Sequence, residues 1–214
     1  NTHIISETGN VETTKGWDLD GDGVLEIVPN CPNGPLAVWK LNTDANGKGM
    51  AGFTRHEISS ALQGHGLGAG DITGNGRMDL IVGTGWYEAP KKPWEQEWVF
   101  HPEFDLGQTG IPIIVTDVNG DGLPDLIVGG GHRYGLEWYE QRVEKEKRRW
   151  IRHPIDPYNS QYHDMMWIDI DGDGEPELVT GKRYRAHCGN DPGAKDPVGI
   201  YYFKWNGESF SKQI

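Results

Sequence analysis

The chain has 214 residues, of which 36% are hydrophobic and nine are tryptophan, so a generally disordered chain is excluded. No apolar run approaches the roughly 18 residues of a membrane span. The formal net charge of −12 argues against a nucleic-acid partner, because phosphate binding needs clustered lysine and arginine. Two cysteines, Cys31 and Cys188, permit one disulfide at most and lack the spacing of a zinc or redox motif.

Four acidic segments align with one another without gaps. They are WDLDGDGVLEIV at 17–28, GDITGNGRMDLIV at 70–82, TDVNGDGLPDLIV at 116–128 and IDIDGDGEPELV at 168–179. Their first aspartates recur about every 50 residues, and no helical pattern lies between them. A period of this length is typical of propeller blades.

Each repeat contains four short β-rich runs separated by glycine, proline and asparagine. In the third repeat these runs are 111–116, 125–128, 135–140 and 150–155. The segment 140–149 (EQRVEKEKRR) has helical character, but a solvated hairpin tip fits it better. We predict an all-β protein, a β-propeller of four-stranded antiparallel blades. A β-sandwich, the alternative, would not need an acidic loop at the same point of every unit.

The repeats predict one propeller domain over 1–214, with blades at about 11–58, 65–104, 110–156 and 162–214. The fourth repeat has its own outer strand at 210–214, yet segment 2–6 matches segment 55–59. We therefore predict that 1–6 is the outer strand of a preceding blade, and that the four blades are part of a larger propeller.

Each acidic segment fits the pattern D-x-[D/N/T]-G-[D/N]-G-x-x-[D/E]. Oxygen ligands at positions 1, 3 and 5, with glycine at 6 for the sharp turn, are how a short loop wraps Ca²⁺. The predicted metal ligands are Asp18, Asp20, Asp22 and Glu26; Asp71, Thr73, Asn75 and Asp79; Asp117, Asn119, Asp121 and Asp125; and Asp169, Asp171, Asp173 and Glu177. We predict three or four calcium ions, with the second loop the weakest site because it has the fewest carboxylates.

Two other interpretations of these loops are weaker. An EF-hand requires flanking helices and a glutamate at position 12, and here strands flank the loops and position 12 is never glutamate. Asp-Gly turns without metal are common in hairpins, but turn chemistry does not require an acid at position 9 each time. Thirteen of the 32 acidic residues lie at the ligand positions, so the remaining surface is nearly balanced in charge.

The motifs DLDGDGVLEIV, DVNGDGLPDLIVGG and DIDGDGEPELVTGK resemble the FG-GAP or VCBS-type repeats of calcium-binding β-propellers, found in integrin α-chains and many exported bacterial proteins. The resemblance covers nearly the whole chain and implies a seven-bladed parent propeller in an extracellular or periplasmic location. Segment 161–197, with His65, is also similar to the propeller part of aldos-2-ulose dehydratases and of propeller-type polysaccharide lyases. That similarity implies elimination chemistry on a sugar.

The histidines fall into two groups. Those that recur on the predicted outermost strands are expected to belong to the scaffold: His3, His56, His101 and His153. His65 and His163 each lie six residues before the first aspartate of their loop, at the start of the axial strand, where the other repeats have Glu12 and Ile111. Propeller topology places this end of the axial strand opposite the acidic loops.

Loops on that same face carry cationic and aromatic residues. They are His132 and Arg133 in one blade, and Lys182, Arg183, Tyr184, Arg185 and His187 in the next. The loop at about 181–198 is much longer than its counterpart in the second blade, and elaborated loops on a regular scaffold usually carry function. The alternative is that these side chains only contact solvent at the rim of the propeller and have no functional role.

Three functional hypotheses follow. In the first, a sugar lyase or dehydratase works by β-elimination, with His163 or His65 as the base, Tyr184 or Tyr162 as the acid, and a cationic clamp. His132 is a further candidate catalytic residue. The clamp candidates are Lys182, Arg183, Arg185 and Arg133. The second is a propeller that binds carbohydrate or protein without catalysis. The third is a transition-metal site made by the axial histidines, whose carboxylate partner the sequence does not identify.

Overall fold

The computed structural model describes residues 4–213 and contains sixteen strands in four sheets, each ordered as four consecutive antiparallel strands. Blade 1 comprises β1 (Thr13–Trp17), β2 (Glu26–Asn30), β3 (Pro35–Thr43) and β4 (Gly49–Leu62). Blade 2 comprises β5 (Leu67–Gly70), β6 (Asp79–Val82), β7 (Gly85–Glu88) and β8 (Val99–His101). Blade 3 comprises β9 (Ile114–Thr116), β10 (Asp125–Gly129), β11 (Tyr134–Glu144) and β12 (Lys147–Ser160). Blade 4 comprises β13 (Tyr162–Ile168), β14 (Glu177–Lys182), β15 (Gly199–Trp205) and β16 (Phe210–Gln213).

The four blades form a four-bladed β-propeller, so the predicted all-β propeller of four-stranded antiparallel blades is confirmed. Each acidic loop joins the first strand of a blade to the second, as the repeat predicts. Segment 140–149 is a hairpin, because β11 and β12 pair continuously as far as Glu144 and Lys147. Among the described residues, no helix has the length and apolar character that a membrane crossing requires.

The core lies between neighbouring blades. The second strands carry the motif DLIV in blades 2 and 3, and its apolar residues alternate between two interfaces because strand side chains point to opposite faces. Leu80 packs toward blade 1 and Ile81 toward blade 3, while Leu126 packs toward blade 2 and Ile127 toward blade 4. These strands are therefore apolar on both faces, as a strand buried between two layers must be.

The innermost strands approach one another closely at the axis. The Ile113 amide donates to the Leu67 carbonyl (2.8 Å), and a Cβ at Gly68 would collide with the Ile113 carbonyl. The Ile111 amide donates to the carbonyl of His163 (2.8 Å), which holds the start of β13 against blade 3. Residues 111 and 113 thus bond to the two neighbouring blades and not within blade 3, and β9 begins at Ile114, later than the predicted 111–116.

Blades 4 and 1 meet differently from the other neighbours. Among residues 4–213, no apolar cluster joins these two blades, and the ion pair Lys15 Nζ–Asp164 Oδ1 (3.0 Å) links them. One face of blade 4 instead exposes Met166, Ile168 and Ile200. Membership of a larger, seven-bladed propeller stays a prediction.

The predicted outer strand of a preceding blade falls partly on residues outside the described range. Thr2 and His3 lie outside it, and residues 4–6 carry no strand. The cysteines form no disulfide: Cys31 is a buried free thiol and Cys188 an exposed one.

Candidate functional site

The acidic loops are tight turns organised by their first aspartate. In loop 1 the Asp18 carboxylate accepts amide hydrogens from Gly21 (2.8 Å), Asp22 (3.1 Å) and Gly23 (2.9 Å). Asp117 accepts the equivalent three amides in loop 3, while Asp71 and Asp169 each accept two. The glycines at positions 4 and 6 have positive φ in every loop, which explains why glycine recurs there.

The acid at position 9 is buried in every blade and bonds to backbone. Each accepts the amide hydrogen of loop position 2, from Leu19, Ile72, Val118 and Ile170. Asp79 also accepts the amide of Ala89, just after the third strand of its blade (2.8 Å), and Asp125 accepts that of Gln141 in the third strand (2.7 Å). Burial raises the pKa of both carboxyls to about 6. Position 9 therefore has a structural role that the sequence did not reveal.

Loops 1 and 4 each contain a lysine ammonium among their carboxylates. Lys40 Nζ lies 2.7 Å from both Asp20 and Asp22 and 2.9 Å from Glu26. Lys204 Nζ occupies the same position in loop 4 and contacts Asp171, Asp173 and Glu177. Both lysines come from the third strand of their blade.

Two of the acidic loops bring three carboxylates together. The groups are Asp18, Asp20 and Asp22 in loop 1, and Asp169, Asp171 and Glu177 in loop 4, each with ligand oxygens within 4.8 Å of one another. These donors are the hard oxygen ligands that Ca²⁺ prefers, so they fit the ion once the lysine is displaced. In the described part of the chain, loops 2 and 3 form no such group.

The opposite face brings together three histidines that the sequence predicted as candidates. His65 precedes β5, His132 lies in the β10–β11 turn and His163 lies on β13, so three blades contribute one imidazole each. The ring centroids lie 4.4 to 5.6 Å apart, and the ring planes are nearly perpendicular, at 82° to 87°. One ring nitrogen of each histidine lies within 4.8 Å of the other two. We call His65, His132 and His163 the histidine cluster.

One of these rings has a defined hydrogen-bond role. His65 Nδ1 lies 2.8 Å from the Thr109 carbonyl, which is an acceptor, so this nitrogen carries hydrogen and His65 Nε2 is a lone pair. His132 Nδ1 faces both an acceptor, Asp191 Oδ2 (2.8 Å), and a donor, Arg183 Nη2 (3.1 Å). The Nε2 atoms of His65 and His132 lie 2.9 Å apart. The third ring, His163, has a buried Nε2 without a hydrogen-bond partner.

Two of the imidazoles, those of His65 and His163, are held in the neutral form. Burial, the positive charge of Arg183 and the neighbouring histidines lower the pKa of His163 to about 4. Burial also lowers the pKa of His65. A base whose conjugate acid has so low a pKa is weak, which disfavours His163 for proton abstraction beside a carboxylate.

Asp191 organises the long loop beside the cluster and was missed by the sequence analysis. Its carboxylate bonds to His132, to Arg183 Nη2 (3.4 Å) and to His187 Nδ1 (2.9 Å). Arg183 Nη2 also lies 3.1 Å from His132 Nδ1, and the His187 ring stacks on that of His132. Burial acts to raise the pKa of Asp191, but hydrogen bonds from His132 and His187 hold that pKa below its usual value. Its position four residues after His187 was the available sequence signal.

The remaining predicted residues divide by exposure. Tyr184 and Arg185 are exposed, Arg183 is half-buried, and Lys182 is buried with its ammonium on the Arg183 carbonyl (3.3 Å). Arg185, His187 and Cys188 all have left-handed φ, an unusual density of strain for non-glycine residues.

Two candidates from the sequence are structural instead. Arg133 is held in an ion pair with the buried Glu137 (2.7 Å), a carboxylate that Arg152 also contacts, so its guanidinium is part of the blade scaffold. Tyr162 is fully buried and donates its hydroxyl to Asp156 (2.8 Å), and burial followed by this bond raises its pKa far above the usual value. Neither side chain is available as a clamp or as an acid.

The outer-strand histidines stack on tryptophans. His101 stacks on Trp86 (ring centroids 4.1 Å apart) and His153 on Trp138 (4.5 Å), while His56 lies against Trp94 (4.6 Å). These contacts are part of the blade scaffold.

Known proteins resemble the chain in sequence repeat and in fold. Residues 18–82 and 117–180 match the FG-GAP-like repeat. No curated protein matches the sequence. Among solved structures, an Agrocybe aegerita lectin that recognises non-reducing terminal N-acetylglucosamine is 15% identical with a TM-score of 0.54, and the match covers 94% of this chain and 51% of the lectin. The V. cholerae biofilm matrix protein Bap1 is 19% identical with a TM-score of 0.46, over 94% of this chain and 28% of Bap1. The chain therefore spans about half the length of the lectin and 28% of Bap1.

Proposed function

Because this chain belongs to the FG-GAP-like repeat family, we propose that it is an exported, calcium-binding propeller that binds an anionic saccharide beside the histidine cluster. One observation carries this proposal: the 183–198 loop presents Arg183, Tyr184, Arg185 and His187 next to three converging imidazoles on the face opposite the acidic loops.

The charge distribution supports an anionic ligand. The protein carries a net charge of −12, yet the 183–198 loop has a formal charge of +1, from Arg183, Arg185 and Lys195 against Asp191 and Asp196. A locally cationic surface raises the concentration of anions beside it. Arg185 has no carboxylate partner among the described residues within ion-pair distance, and its planar guanidinium matches a carboxylate in two-point geometry. Tyr184 offers an exposed ring for stacking against a sugar.

The fold is compatible with sugar recognition. The Agrocybe aegerita lectin, whose ligand ends in N-acetylglucosamine, has a similar fold at 15% identity. At that level of identity no binding residue of the lectin can be assigned to this chain. The proposed preference for an anionic sugar therefore depends only on the side chains of this chain.

Calcium on the opposite face is the second part of the proposal. Loops 1 and 4 supply the oxygen groups described above. Extracellular calcium modules have dissociation constants of about 10⁻⁴ to 10⁻³ M, which free calcium fills outside the cytosol and not inside it. An extracellular or periplasmic location follows from such affinities.

Elimination chemistry is the second candidate function, and one observation favours it. The His187 side chain is 56% exposed, and Asp191 orients its ring through Nδ1 (2.9 Å), which leaves Nε2 without a hydrogen bond to the described residues. A carboxylate-oriented imidazole is the arrangement of a general base. Arg185 and Arg183 would then stabilise the enolate that develops on a uronate.

A binding experiment with matched variants tests the main proposal. Calorimetric titration with oligomers of a polyuronate and with a neutral dextran oligomer is expected to show binding of the polyuronate alone. Arg185→Gln should weaken binding about tenfold, the loss of roughly 1.4 kcal/mol that one charged hydrogen bond supplies. Arg149→Gln, an exposed arginine on the hairpin of blade 3, is the control. Equal binding of both sugars, or equal effects of the two variants, would contradict the proposal.

The elimination hypothesis has its own assay. The polyuronate is incubated with the protein, and the unsaturated product is followed by its ultraviolet absorbance. Activity that disappears in His187→Ala, while polyuronate binding persists, supports the general base. Binding without any product identifies a propeller that recognises the sugar without cleaving it.

A further inference from the structure

The histidine cluster gathers three imidazole nitrogens, one of them buried and unpartnered, and this points to a bound cation. His65 donates its Nδ1 hydrogen to the Thr109 carbonyl, so its Nε2 lone pair is directed into the cluster. That atom lies 2.9 Å from His132 Nε2. The buried Nε2 of His163 has no hydrogen-bond partner. A single cation placed among the three rings would satisfy all three nitrogens.

The type of donor selects the class of cation. Imidazole nitrogen suits Zn²⁺ and neighbouring transition metals, whereas Ca²⁺ and Mg²⁺ prefer oxygen. Three histidines with an open fourth position are a known zinc arrangement, and Zn–N bonds of about 2.0–2.1 Å put ligand nitrogens roughly 3.3 Å apart. One nitrogen of each ring already lies within 4.8 Å of the others, so shifts of side chains alone are needed.

The surroundings are those of a metal-ligating histidine. Such residues almost always donate their second nitrogen to a carboxylate or a backbone carbonyl, which fixes the tautomer and the ring orientation. Here Asp191 does this for His132 and the Thr109 carbonyl does it for His65. Glu12 Oε2 lies 3.8 Å from His65 Nε2 and places a carboxylate beside the fourth coordination position.

We propose that His65, His132 and His163 bind one Zn²⁺ ion at the propeller axis, with Glu12 beside the fourth position. The site is separate from the acidic loops and does not depend on the proposed saccharide binding. Glu12, His65 and His163 occupy the equivalent axial position in three blades. The remaining blade has the apolar Ile111 at that position and contributes His132 from its β10–β11 turn instead.

Metal titration of the full chain tests the site. The protein is stripped with a chelator, returned to millimolar Ca²⁺ to fill the oxygen sites, and titrated with Zn²⁺ in a calorimeter. One tight equivalent is expected. His163→Ala should weaken this binding at least a hundredfold, and the control His153→Ala, whose ring stacks on Trp138 in the scaffold, should leave it unchanged.

A second group of metal-ligating side chains, His132, His187 and Asp191, lies beside the histidine cluster. Two further variants show which of the two groups binds the ion. His187→Ala should leave the zinc affinity nearly unchanged, whereas Asp191→Asn should reduce it about 10- to 100-fold by loosening His132. Loss of binding in His187→Ala, together with retention in His163→Ala, would overturn the proposal.

A spectroscopic measurement keeps the test independent of variant stability. Co²⁺ in a tetrahedral nitrogen site absorbs strongly in the visible region, so wild-type protein titrated with Co²⁺ should develop that band at one equivalent and lose it on adding Zn²⁺. His65→Gln, a second variant of similar size, should abolish the band even if His163→Ala fails to fold. Absence of the band and of stoichiometric zinc in the wild type would refute the site.

Discussion

Two polar clusters on opposite faces of this propeller satisfy their charges and lone pairs in opposite ways. In the acidic loops the protein supplies the counter-charge itself, because Lys40 and Lys204 place an ammonium among the carboxylates. In the histidine cluster the Nε2 atoms of His65 and His132 lie 2.9 Å apart, and the buried Nε2 of His163 has no hydrogen-bond partner. The carboxylates of loops 1 and 4 are therefore paired without an ion, whereas the histidine cluster keeps an unpaired nitrogen.

The comparison separates metal affinity from the number of candidate ligands. Loops 1 and 4 have four carboxylates each, but an incoming Ca²⁺ must displace a lysine from them. The histidine cluster has three ligands, and among the described residues no lysine bonds to them. Counting acidic residues in a sequence thus overestimates the affinity of an acidic loop whose partner lysine comes from a distant strand.

The largest expected effect comes from the acid at position 9. Asp125→Ala removes the acceptor of two buried amides, from Val118 (3.1 Å) and Gln141 (2.7 Å), and each unsatisfied group costs about 1–3 kcal/mol. Urea unfolding in excess chelator should show a loss of about 2–6 kcal/mol in the free energy of unfolding. The exposed Asp121→Ala in the same loop is the control, with a loss below about 1 kcal/mol. Similar losses in both variants would mean that position 9 has no separate structural role.

Removal of calcium is expected to have the next largest effect. At about 1 mM Ca²⁺, a site with a dissociation constant of about 10⁻⁴ M contributes roughly 1.4 kcal/mol, so two such loops contribute about 3 kcal/mol. For a domain of this size, 1 kcal/mol corresponds to about 2–4 °C, and excess chelator should lower Tm by about 6–12 °C. In Asp171→Ala the fall in Tm caused by the chelator should be smaller than in the wild type, and in the exposed Glu208→Ala it should equal that of the wild type. An unchanged Tm would show that the loops stay free of calcium.

The repeat itself made the fold predictable. Four ungapped DxDGDG-type segments determine the number of blades, and the apolar DLIV strands predict burial on both faces. The register of the repeat also placed His65 and His163 at equivalent axial positions, because equivalent positions in a propeller lie at equal distances from the axis.

Contacts between elements distant in sequence were not predictable. Asp191 reaches His132 across 59 residues through an irregular loop, and Lys40 and Lys204 enter their acidic loops from third strands whose register no local pattern specifies. The role of the position-9 acids was hidden for a different reason. A carboxylate that accepts backbone amides and one that binds calcium have the same sequence pattern.

A third polar cluster, around Asp156, is expected to make stability depend on pH. Burial acts to raise the pKa of Asp156, but hydrogen bonds from Lys212, Asn159 and Tyr162 hold it well below the ordinary value of 3.8. A carboxyl whose folded pKa is depressed contributes stability that is complete above its unfolded pKa and is lost as pH falls below it. Asp156→Asn should cost about 2 kcal/mol at pH 7 and make unfolding less sensitive to acid below about pH 4. Glu97→Gln, an exposed acid, should retain the wild-type slope, and an unchanged slope in Asp156→Asn would contradict the assignment.

The smallest expected effect tests the lysine directly, and its sign depends on calcium. In Lys40→Met the carboxylates of Asp20, Asp22 and Glu26 lose the ammonium that lies within 2.9 Å of each, so the calcium-free protein should lose about 1 kcal/mol of stability. Calcium no longer displaces a cation in this variant, and its affinity for loop 1 should rise about tenfold, a gain of roughly 1.4 kcal/mol. The variant should therefore melt below the wild type in chelator and at or above it in millimolar Ca²⁺. The exposed Lys48→Met should change neither value, and a calorimetric titration in which Lys40→Met binds calcium more weakly would show that the lysine organises the loop for the ion instead of competing with it.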